Sequence, residues 1–349
     1  MAKFISYGNP GLFDNVIQDM DVAASNSPLI RVGKIIKWEV FKSTVFAAVK
    51  RQTKGPGGRP RFDPLLMFKV LVLQRLHNLA DDALSFQITD RNSFRSFLGL
   101  TLGDQIPDGQ TIRDFRETLS GSMDKLFQDF LDYLRKNHNL GHIETGVIID
   151  ASFAQVPQQR NNREENAQIK EGVVPERITA KAKVRAHKDL DARWTKKNQR
   201  TYYGYKNHVK VNVKDKLILA SVVTPANVHD SQVLESLIKE GDKMLWADSA
   251  YDSASIRKAL DKNAMESYIN EKGRRGHPLN EKQKASNRNK SKIRSRVEHV
   301  FGYMRGSMKA LYQRYVGLKR NEACLKMTNL VYNMMRFEQI QRLNLGASA

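Results

Sequence analysis

The sequence predicts an α/β protein in which a mixed five-stranded sheet with helices follows a small all-helical domain. Two observations predict this order. Apolar residues recur at three- and four-residue steps in much of the segment 61–140, which is the spacing of amphipathic helices. From Gly146 the period changes, because Val147-Ile148-Ile149 is a continuous apolar run of the kind found in strands covered on both faces.

The helical part is predicted to start after a basic linker. Residues 1–60 are mixed in character and end in a stretch rich in Lys, Arg, Gly and Pro, which cannot build a core. Asp63 and Pro64 are typical of a helix start, and the residues after them are apolar on nearly every side, as in a buried helix. We therefore expect a domain boundary near residue 60 and a helical domain over 61–140.

The remaining strands are predicted from alternation and from short apolar runs. Residues 205–223 suggest a hairpin, and Met244-Leu245-Trp246-Ala247 and Ser267-Tyr268-Ile269 suggest two more strands, each preceded by a helix. The polar, basic segments 157–200 and 271–296 are predicted to be excursions from this sheet. The α/β domain is expected to span 141–315, and a C-terminal helix is expected within 316–349.

The overall charge points to a polyanionic partner. The 349 residues contain 58 Lys+Arg and 37 Asp+Glu, which gives a formal net charge of +21. No apolar run is long enough to cross a bilayer, and the N-terminus lacks a secretory core, so we expect a soluble, cytoplasmic protein without a membrane partner. A single cysteine excludes a Cys-based zinc site within one chain, so any metal needs oxygen or imidazole ligands.

Three carboxylates are candidates for such a metal site. Asp150 and Asp248 each follow an apolar run, and ligand sites of open α/β sheets lie at the carboxyl ends of strands. Glu298 lies in a basic helical segment, where Arg294, Glu298 and Arg305 share one face at about 3.6 residues per turn. The alternatives are that each Asp only caps a turn, and that Arg294 and Glu298 form an exposed ion pair.

Two Asp and one Glu suit a phosphoryl-transfer site with two divalent cations. Such ions share a bridging carboxylate, and Mg²⁺ needs few protein ligands because it keeps water and phosphate oxygens. On this hypothesis Asp150 bridges the two ions, and Asp248 and Glu298 complete one ion each.

Several long segments resemble one family. They are residues 59–100, residues 106–119, GVIIDASFAQVP around Asp150, TPANVHDSQVL around Asp230, WADSAYDS around Asp248 and RSRVEHVFGYMR around Glu298. The chain is similar to bacterial insertion-sequence transposases of the IS5 family, within the IS4/IS5 group of DDE transposases, whose catalytic core is ribonuclease-H-like.

The resemblance implies a function and its partners. Asp150, Asp248 and Glu298 would be the catalytic residues and metal ligands, with Mg²⁺ as cofactor and Mn²⁺ as its substitute. The helical domain would bind DNA. The chain would cleave double-stranded DNA at the terminal inverted repeats and join it to target DNA, as a homodimer or higher oligomer near the bacterial nucleoid. A nuclease of the same fold that does not join ends, and a non-catalytic DNA-binding protein, are the alternatives.

The signature around the glutamate is only partly present. Arg294 and Glu298 match it, but Ser291 stands at the position of a Tyr and Arg305 at the position of a Lys, which keeps the charge. Tyr251 stands where aromatic residues occur in similar motifs. The sequence also favours Asp230 as a helix N-cap rather than a ligand.

Other basic and aromatic residues are candidates for DNA contacts. Solvated surface charge and core packing are the alternatives for them. The full set of predicted DNA-binding residues is Arg294, Arg305, Tyr251, Lys290, Lys292, Arg296, Trp194, Arg113 and Arg116.

Overall fold

The structure, a computed structural model, describes residues 5, 27–50, 60–197, 199–273 and 276–347. Most of the predicted N-terminal segment and the linker residues 51–59 lie outside the described residues. The chain divides into two compact units, Met1–Asn139 with Lys326–Ala349, and Leu140–Leu325. The predicted C-terminal helix is therefore shared between the units rather than forming a segment of its own.

The first unit is helical. Its helices, in chain order, are α1 (Pro28–Ile35), α2 (Lys42–Ala48), α3 (Pro64–His77), α4 (Asp81–Asp90), α5 (Asn92–Leu98), α6 (Gly109–Leu119) and α7 (Met123–His138). The end of a long last helix, described below, completes the unit.

Helix α3 begins as its sequence predicts. The Asp63 carboxylate accepts a hydrogen bond from the N–H of Leu66 at 2.9 Å, Pro64 occupies the first turn, and Asn78 ends the helix in the left-handed conformation at φ 47°. Nearly all its side chains are buried. Phe68 packs on Phe41, with ring centroids 4.8 Å apart, and burying each such ring stabilises the fold by about 1.5–3 kcal/mol.

Residues 28–48 belong to this helical unit, which differs from the predicted boundary near residue 60. Phe41 and Val45 are fully buried, and the Phe41 ring lies 5.8 Å from that of Phe130 on α7. Helices α1 and α2 are short, so their apolar residues did not show a clear period in the sequence.

A cluster around Asp81 connects three helices of this unit. The Asp81 carboxylate accepts hydrogen bonds from both terminal nitrogens of Arg116, one of them at 3.0 Å, and from Gln74 at 2.6 Å. Arg113 approaches the same carboxylate at 3.5 Å. The predicted DNA contact of Arg116 therefore needs correction, because this guanidinium is half-buried in an internal ion pair.

The second unit contains a mixed six-stranded sheet. Its strands are β1 (Val147–Gln155), β2 (Arg193–Lys197), β3 (Arg200–Asn212), β4 (Ile218–Pro225), β5 (Met244–Ala247) and β6 (Glu266–Ile269). Their order is β2-β3-β1-β5-β6, and β4 also pairs with β3. β1 is antiparallel to β3 and parallel to β5.

The sheet corrects two predictions from the sequence. It has six strands rather than five, because Arg-Trp-Thr-Lys-Lys forms β2 in the predicted polar excursion. This strand is held by its ladder with β3 and not by an apolar face. β1 does not end at Asp150 but continues to Gln155, with Ser152 and Ala154 buried.

Helices of the second unit lie between and after these strands. They are α8 (Arg163–Lys170), α9 (Glu176–Thr179), α10 (Ala182–His187), α11 (Leu234–Leu237), α12 (Ala254–Lys262), α13 (Glu281–Arg294) and α14 (Arg296–Gly306). The last helix, α15 (Leu318–Ala347), begins in this unit and ends in the first. No helix within the described ranges is long and apolar enough to span a membrane.

The Asp81 cluster gives a prediction on stability. Burial acts to raise the pKa of Asp81, but hydrogen bonding and the charge of Arg116 outweigh it and lower the pKa below its usual 3.8. Asp81→Asn should lower the free energy of unfolding by about 1.5–3 kcal/mol, since it removes charged hydrogen bonds. Because the folded-state pKa is depressed, this difference should be constant from neutral pH to the unfolded-state pKa and shrink only below it.

Urea denaturation of both proteins across this pH range would measure the difference. Asp82→Asn is the matched control, because Asp82 is exposed in the same first turn of α4. Equal losses from both substitutions would show that the cluster adds nothing beyond the helix-terminal charge.

Candidate active site

The parallel pairing of β1 with β5 places two carboxylates side by side. Ile149 is in register with Ala247, so the next residues of the two strands are Asp150 and Asp248. Adjacent strands lie about 4.8 Å apart. The structure therefore brings together the first two of the three predicted carboxylates.

The two aspartates have different local roles. Asp248 directly follows β5, and its Oδ1 accepts a hydrogen bond from the N–H of Ser249 at 2.7 Å, which caps the 3₁₀ turn Ser249–Tyr251. The alternative that the aspartate caps a turn is therefore correct for Asp248. Asp150 lies inside β1, where its Oδ1 accepts from the N–H of Ala151 at 2.8 Å, so it caps no turn.

Asp150 is in an electrostatically costly position. Burial raises its pKa, and the negative charge of Asp248 adds to that effect. The N–H of Ala151 and the positive charges of Arg294 and Lys197 oppose it, but the pKa stays raised. Two adjacent, partly desolvated carboxylates favour a bound cation, and carboxylate oxygens suit a hard divalent cation.

Arg294 is the side chain that contacts Asp150 from another element. Its Nη1 donates to Asp150 Oδ2 at 3.1 Å, and both side chains are mostly buried. Arg294 is the last residue of α13, and α14 begins at Arg296. The single amphipathic helix predicted here is therefore two helices, separated at Ser295, whose backbone stays in the right-handed helical region at φ −57° and ψ −15°.

Glu298 is not gathered with the two aspartates. It lies exposed in the first turn of α14, one turn beyond Arg294. Arg294 binds Asp150, and no Arg294–Glu298 ion pair is found in the part of the chain that the structure describes. Nor do three His, Cys, Asp or Glu side chains of that part form a group that could hold a metal ion. The structure thus brings two of the three carboxylates together, and Glu298 lies four residues beyond Arg294, the residue that contacts Asp150.

A buried polar layer behind the aspartates was missed by sequence reasoning. Lys206 of β3 donates to the Asp230 carboxylate at 2.8 Å and to the carbonyl of Val228 at 2.7 Å. Asp230 is therefore an ion-pair partner and not the predicted N-cap, which is His229. His208 is fully buried, shares a hydrogen bond with Thr224 at 2.9 Å, and burial lowers its pKa to about 4.

The signal for this layer was present in the sequence but indirect. Lys206, His208 and Lys210 occupy alternate positions along β3, and this alternation predicts that they lie on a solvent-exposed face of the strand. The structure covers both faces of this strand, so the lysines are buried and each is paired with an aspartate.

Tyr251 needs correction as a predicted DNA contact. Its side chain is only 1% exposed, so its ring cannot stack on a nucleic acid in this conformation. Burial, and then the charges of Asp230, Asp150 and Asp248, raise its pKa well above the ordinary value. Tyr251 therefore keeps its proton and lies within the electrostatic influence of the three aspartates.

The other predicted DNA contacts are placed as follows. Arg305 and Lys292 are exposed on α14 and α13. Lys290 donates to the carbonyl of Ile269 at 3.1 Å, and Arg296 donates to that of Val213 at 2.8 Å, so both are partly engaged within the unit.

Strand β3 pairs with β1 on one side and with β2 on the other, and the resulting hairpin of β2 and β3 brings Lys197 near the site. Gly204 has φ +140°, and a Cβ there would lie 2.4 Å from the Ala154 carbonyl oxygen. Tyr202 stacks on Phe153 of β1 with ring centroids 4.2 Å apart. Lys197, at the end of the exposed strand β2, is close enough to lower the pKa of Asp150. Trp194 on the same strand is 42% exposed and packs on Tyr203.

A mixed sheet with one aspartate in β1 and another directly after β5 is consistent with a ribonuclease-H-like transposase core. Comparison with family models agrees: residues 141–334 match the Transposase DDE domain, and residues 18–118 match the Transposase domain (DUF772). The first match covers more than half of the chain, so this protein belongs to the DDE-domain transposase family. Its members cleave and join DNA, and DDE transposases in general use divalent metal ions.

One solved structure is also similar. The piggyBac transposase synaptic complex with hairpin DNA, determined by cryo-EM, shares 12% sequence identity. The alignment covers 98% of this chain and 79% of that chain, with a TM-score of 0.45.

The contact between Arg294 and Asp150 predicts a specific energetic coupling. In the metal-free protein, a double-mutant cycle of Arg294→Ala and Asp150→Ala should give a coupling energy of roughly 0.5–3 kcal/mol, as found for partly buried charged pairs in contact. The cycle of Arg294→Ala and Glu298→Ala should give less than about 0.5 kcal/mol. Denaturant unfolding of the single and double variants would measure both. The reverse ranking would mean that Arg294 pairs with Glu298.

Proposed function

We propose that this transposase cleaves phosphodiester bonds at the ends of an insertion sequence and joins the freed 3′-hydroxyl to target DNA. Asp150, Asp248 and Glu298 would hold two Mg²⁺ ions, which Mn²⁺ could replace. The observation that supports this proposal is the register of β1 and β5. Ile149 pairs with Ala247 in parallel strands, and Asp150 and Asp248 are the next residues of the chain after them. The motifs around these residues further support membership of the IS5 family.

When bound, the two cations would activate the attacking water or 3′-hydroxyl and stabilise the leaving oxygen. The remaining tasks belong to the chain. Asp150 is held in place by the N–H of Ala151, and Asp248 by the N–H of Ser249, so neither carboxylate rotates freely. We assign Glu298 as the third ligand from its motif and from its place one turn beyond Arg294. Arg294 and Arg305 would grip phosphates flanking the scissile bond.

A basic groove on α13 supports a path for DNA toward this site. The groove is shallow and is lined by Leu279, Lys284, Asn287, Arg288, Ser291 and Lys292. Helix α13 ends at Arg294, which contacts Asp150, so a strand lying along the groove would be led to the carboxylates. We propose that Lys197 and Trp194 of β2 add a second contact.

The other partners follow from the reaction. An insertion sequence has two ends, and joining both requires a site at each end, so we propose a homodimer or higher oligomer in the complex with DNA. We also propose that the helical unit binds the terminal repeats, with the exposed Arg113 as one of its contacts.

The carboxylates provide the direct test. Asp150→Asn, Asp248→Asn and Glu298→Gln should each abolish cleavage and joining in Mg²⁺ and leave binding to the terminal repeat nearly intact, because affinity comes mainly from phosphate contacts. The assay should use linear DNA with the terminal inverted repeats and score nicked ends and strand-transfer products separately. Asp261→Asn, an exposed acid on α12, is the control and should keep full activity.

Each result of this assay has a definite meaning. If one of the three variants cleaves at a near-normal rate, that residue is not a ligand. Nicked ends without any joined product from the wild-type protein would favour the nuclease alternative.

The groove on α13 gives a prediction on salt dependence. Replacing Lys284, Arg288 and Lys292 with Ala should reduce the slope of log affinity against log salt by about 0.9 for each phosphate that the protein no longer neutralises. Replacing three other exposed lysines, Lys239, Lys258 and Lys262, removes the same charge and should leave the slope nearly unchanged. Binding titrations at several salt concentrations would measure both slopes. Equal slopes for the two triple variants would show that the groove does not contact phosphates.

A further inference from the structure

The hydroxyl of Tyr251 is buried without a hydrogen-bond partner. The side chain is 1% exposed, and among the described residues no donor or acceptor pairs with its Oη. Burying an unpaired hydroxyl lowers stability, so such groups are rare in folded proteins and call for a reason. Phe at this position would fill the same space without that cost.

The backbone connects Tyr251 directly to Asp248. Its N–H donates to the carbonyl of Asp248 at 2.9 Å, which closes the 3₁₀ turn that the Asp248 side chain caps. The buried ring therefore anchors the turn on which Asp248 is oriented. Any movement of the ring would move the carboxylate.

Three carboxylates act electrostatically on Tyr251, and two of them have a cation in contact. The negative charges of Asp230, Asp150 and Asp248 all act on Tyr251. Asp230 is paired with Lys206 at 2.8 Å, and its turn, Asp230–Gln232, packs against the turn Ser249–Tyr251. Asp150 contacts Arg294 at 3.1 Å, and Asp248 has no ion pair among the described residues. The hydroxyl is therefore a hydrogen-bond donor near two carboxylates that share one cationic partner.

We propose that Tyr251 is a positioning residue for the metal site, whose hydroxyl donates a hydrogen bond to the Asp150 and Asp248 carboxylates, or to a water that they bind, once the metal is present. This inference rests on the proposed function. Hydrogen-bond donors behind metal ligands fix ligand orientation, and removing one commonly reduces metal affinity or activity by about 10- to 100-fold. In the metal-free protein the same hydroxyl is a cost, which is a known compromise between stability and function.

Tyr251→Phe in the full chain separates this role from packing, because it removes only the hydroxyl. In the metal-free protein the melting temperature should not fall, and we expect a rise of roughly 2–4 °C. Mn²⁺ affinity, measured by calorimetric titration without DNA, should fall about 10- to 100-fold. Tyr268→Phe is the control: its hydroxyl bonds Glu266 at the surface, and neither quantity should change.

Asp150→Asn serves as the reference in the same titration. If Asp150→Asn leaves Mn²⁺ affinity unchanged, the proposed metal site itself is wrong. If Asp150→Asn weakens binding but Tyr251→Phe binds Mn²⁺ like the wild type, the site stands and the role of Tyr251 is refuted. A lower melting temperature in Tyr251→Phe would also refute it, since the hydroxyl would then be part of the structural hydrogen bonding.

Discussion

The parallel pairing of β1 with β5 is the constraint on which the site depends. It forces Asp150 and Asp248 to lie on adjacent strands at the same level, where like charges repel and burial weakens their hydration. The surrounding structure supplies compensation from several directions. An N–H holds each carboxylate, Arg294 comes from the end of α13, and Lys197 comes from the hairpin of β2 and β3. The pKa of Asp150 nevertheless remains raised, so the compensation is incomplete.

β3 also carries buried charges, but each of its buried lysines is neutralised by a partner of opposite charge. Two of its lysines are buried, and each is matched to one aspartate: Lys206 to Asp230, and Lys210 to Asp242 at 2.8 Å with both side chains almost fully buried. A buried lysine without a partner would be strongly destabilising, whereas a matched pair is close to neutral in net stability. These closed pairs contrast with the aspartates of β1 and β5, which outnumber the cations in direct contact with them.

The sequence predicted the features that arise from local pattern. The capped start of α3, the mixed α/β class and the two apolar strands that lead into aspartates all follow from periodicity and from residues that are neighbours in the chain. Motif matching added the family. Features that depend on contacts distant in the chain were predicted less well. An ion pair between Arg294 and Glu298, four residues away, was the alternative that the spacing left open, but Arg294 pairs with Asp150 across the fold.

Burial was the property that sequence patterns predicted least reliably. β2 carries no apolar face and was read as an excursion, while Lys206 and His208 alternate like surface residues and are buried. Alternation of polar and apolar residues indicates a solvated face only when no other element packs on that face. Here the turn Asp230–Gln232 packs on the polar face of β3, and Asp230 supplies the negative charge that pairs with Lys206. Tyr251 was predicted from its motif to contact DNA, although its side chain is only 1% exposed.

Arg294 shows how one side chain can meet two demands at this site. A guanidinium carries five N–H donors in a rigid fork, so a bond to one acceptor leaves the others directed elsewhere. Nη1 binds Asp150, whereas the buried Nε has no partner among the described residues. Because the side chain is 21% exposed, the same arginine would be able to stay on Asp150 in the proposed reaction and present another of its N–H groups to a phosphate. A lysine at this position would have a single ammonium on a flexible stem and would have to exchange one partner for the other. The charge that offsets Asp150 in the free protein would then be lost whenever DNA was bound, which gives a physical reason for arginine at the end of α13.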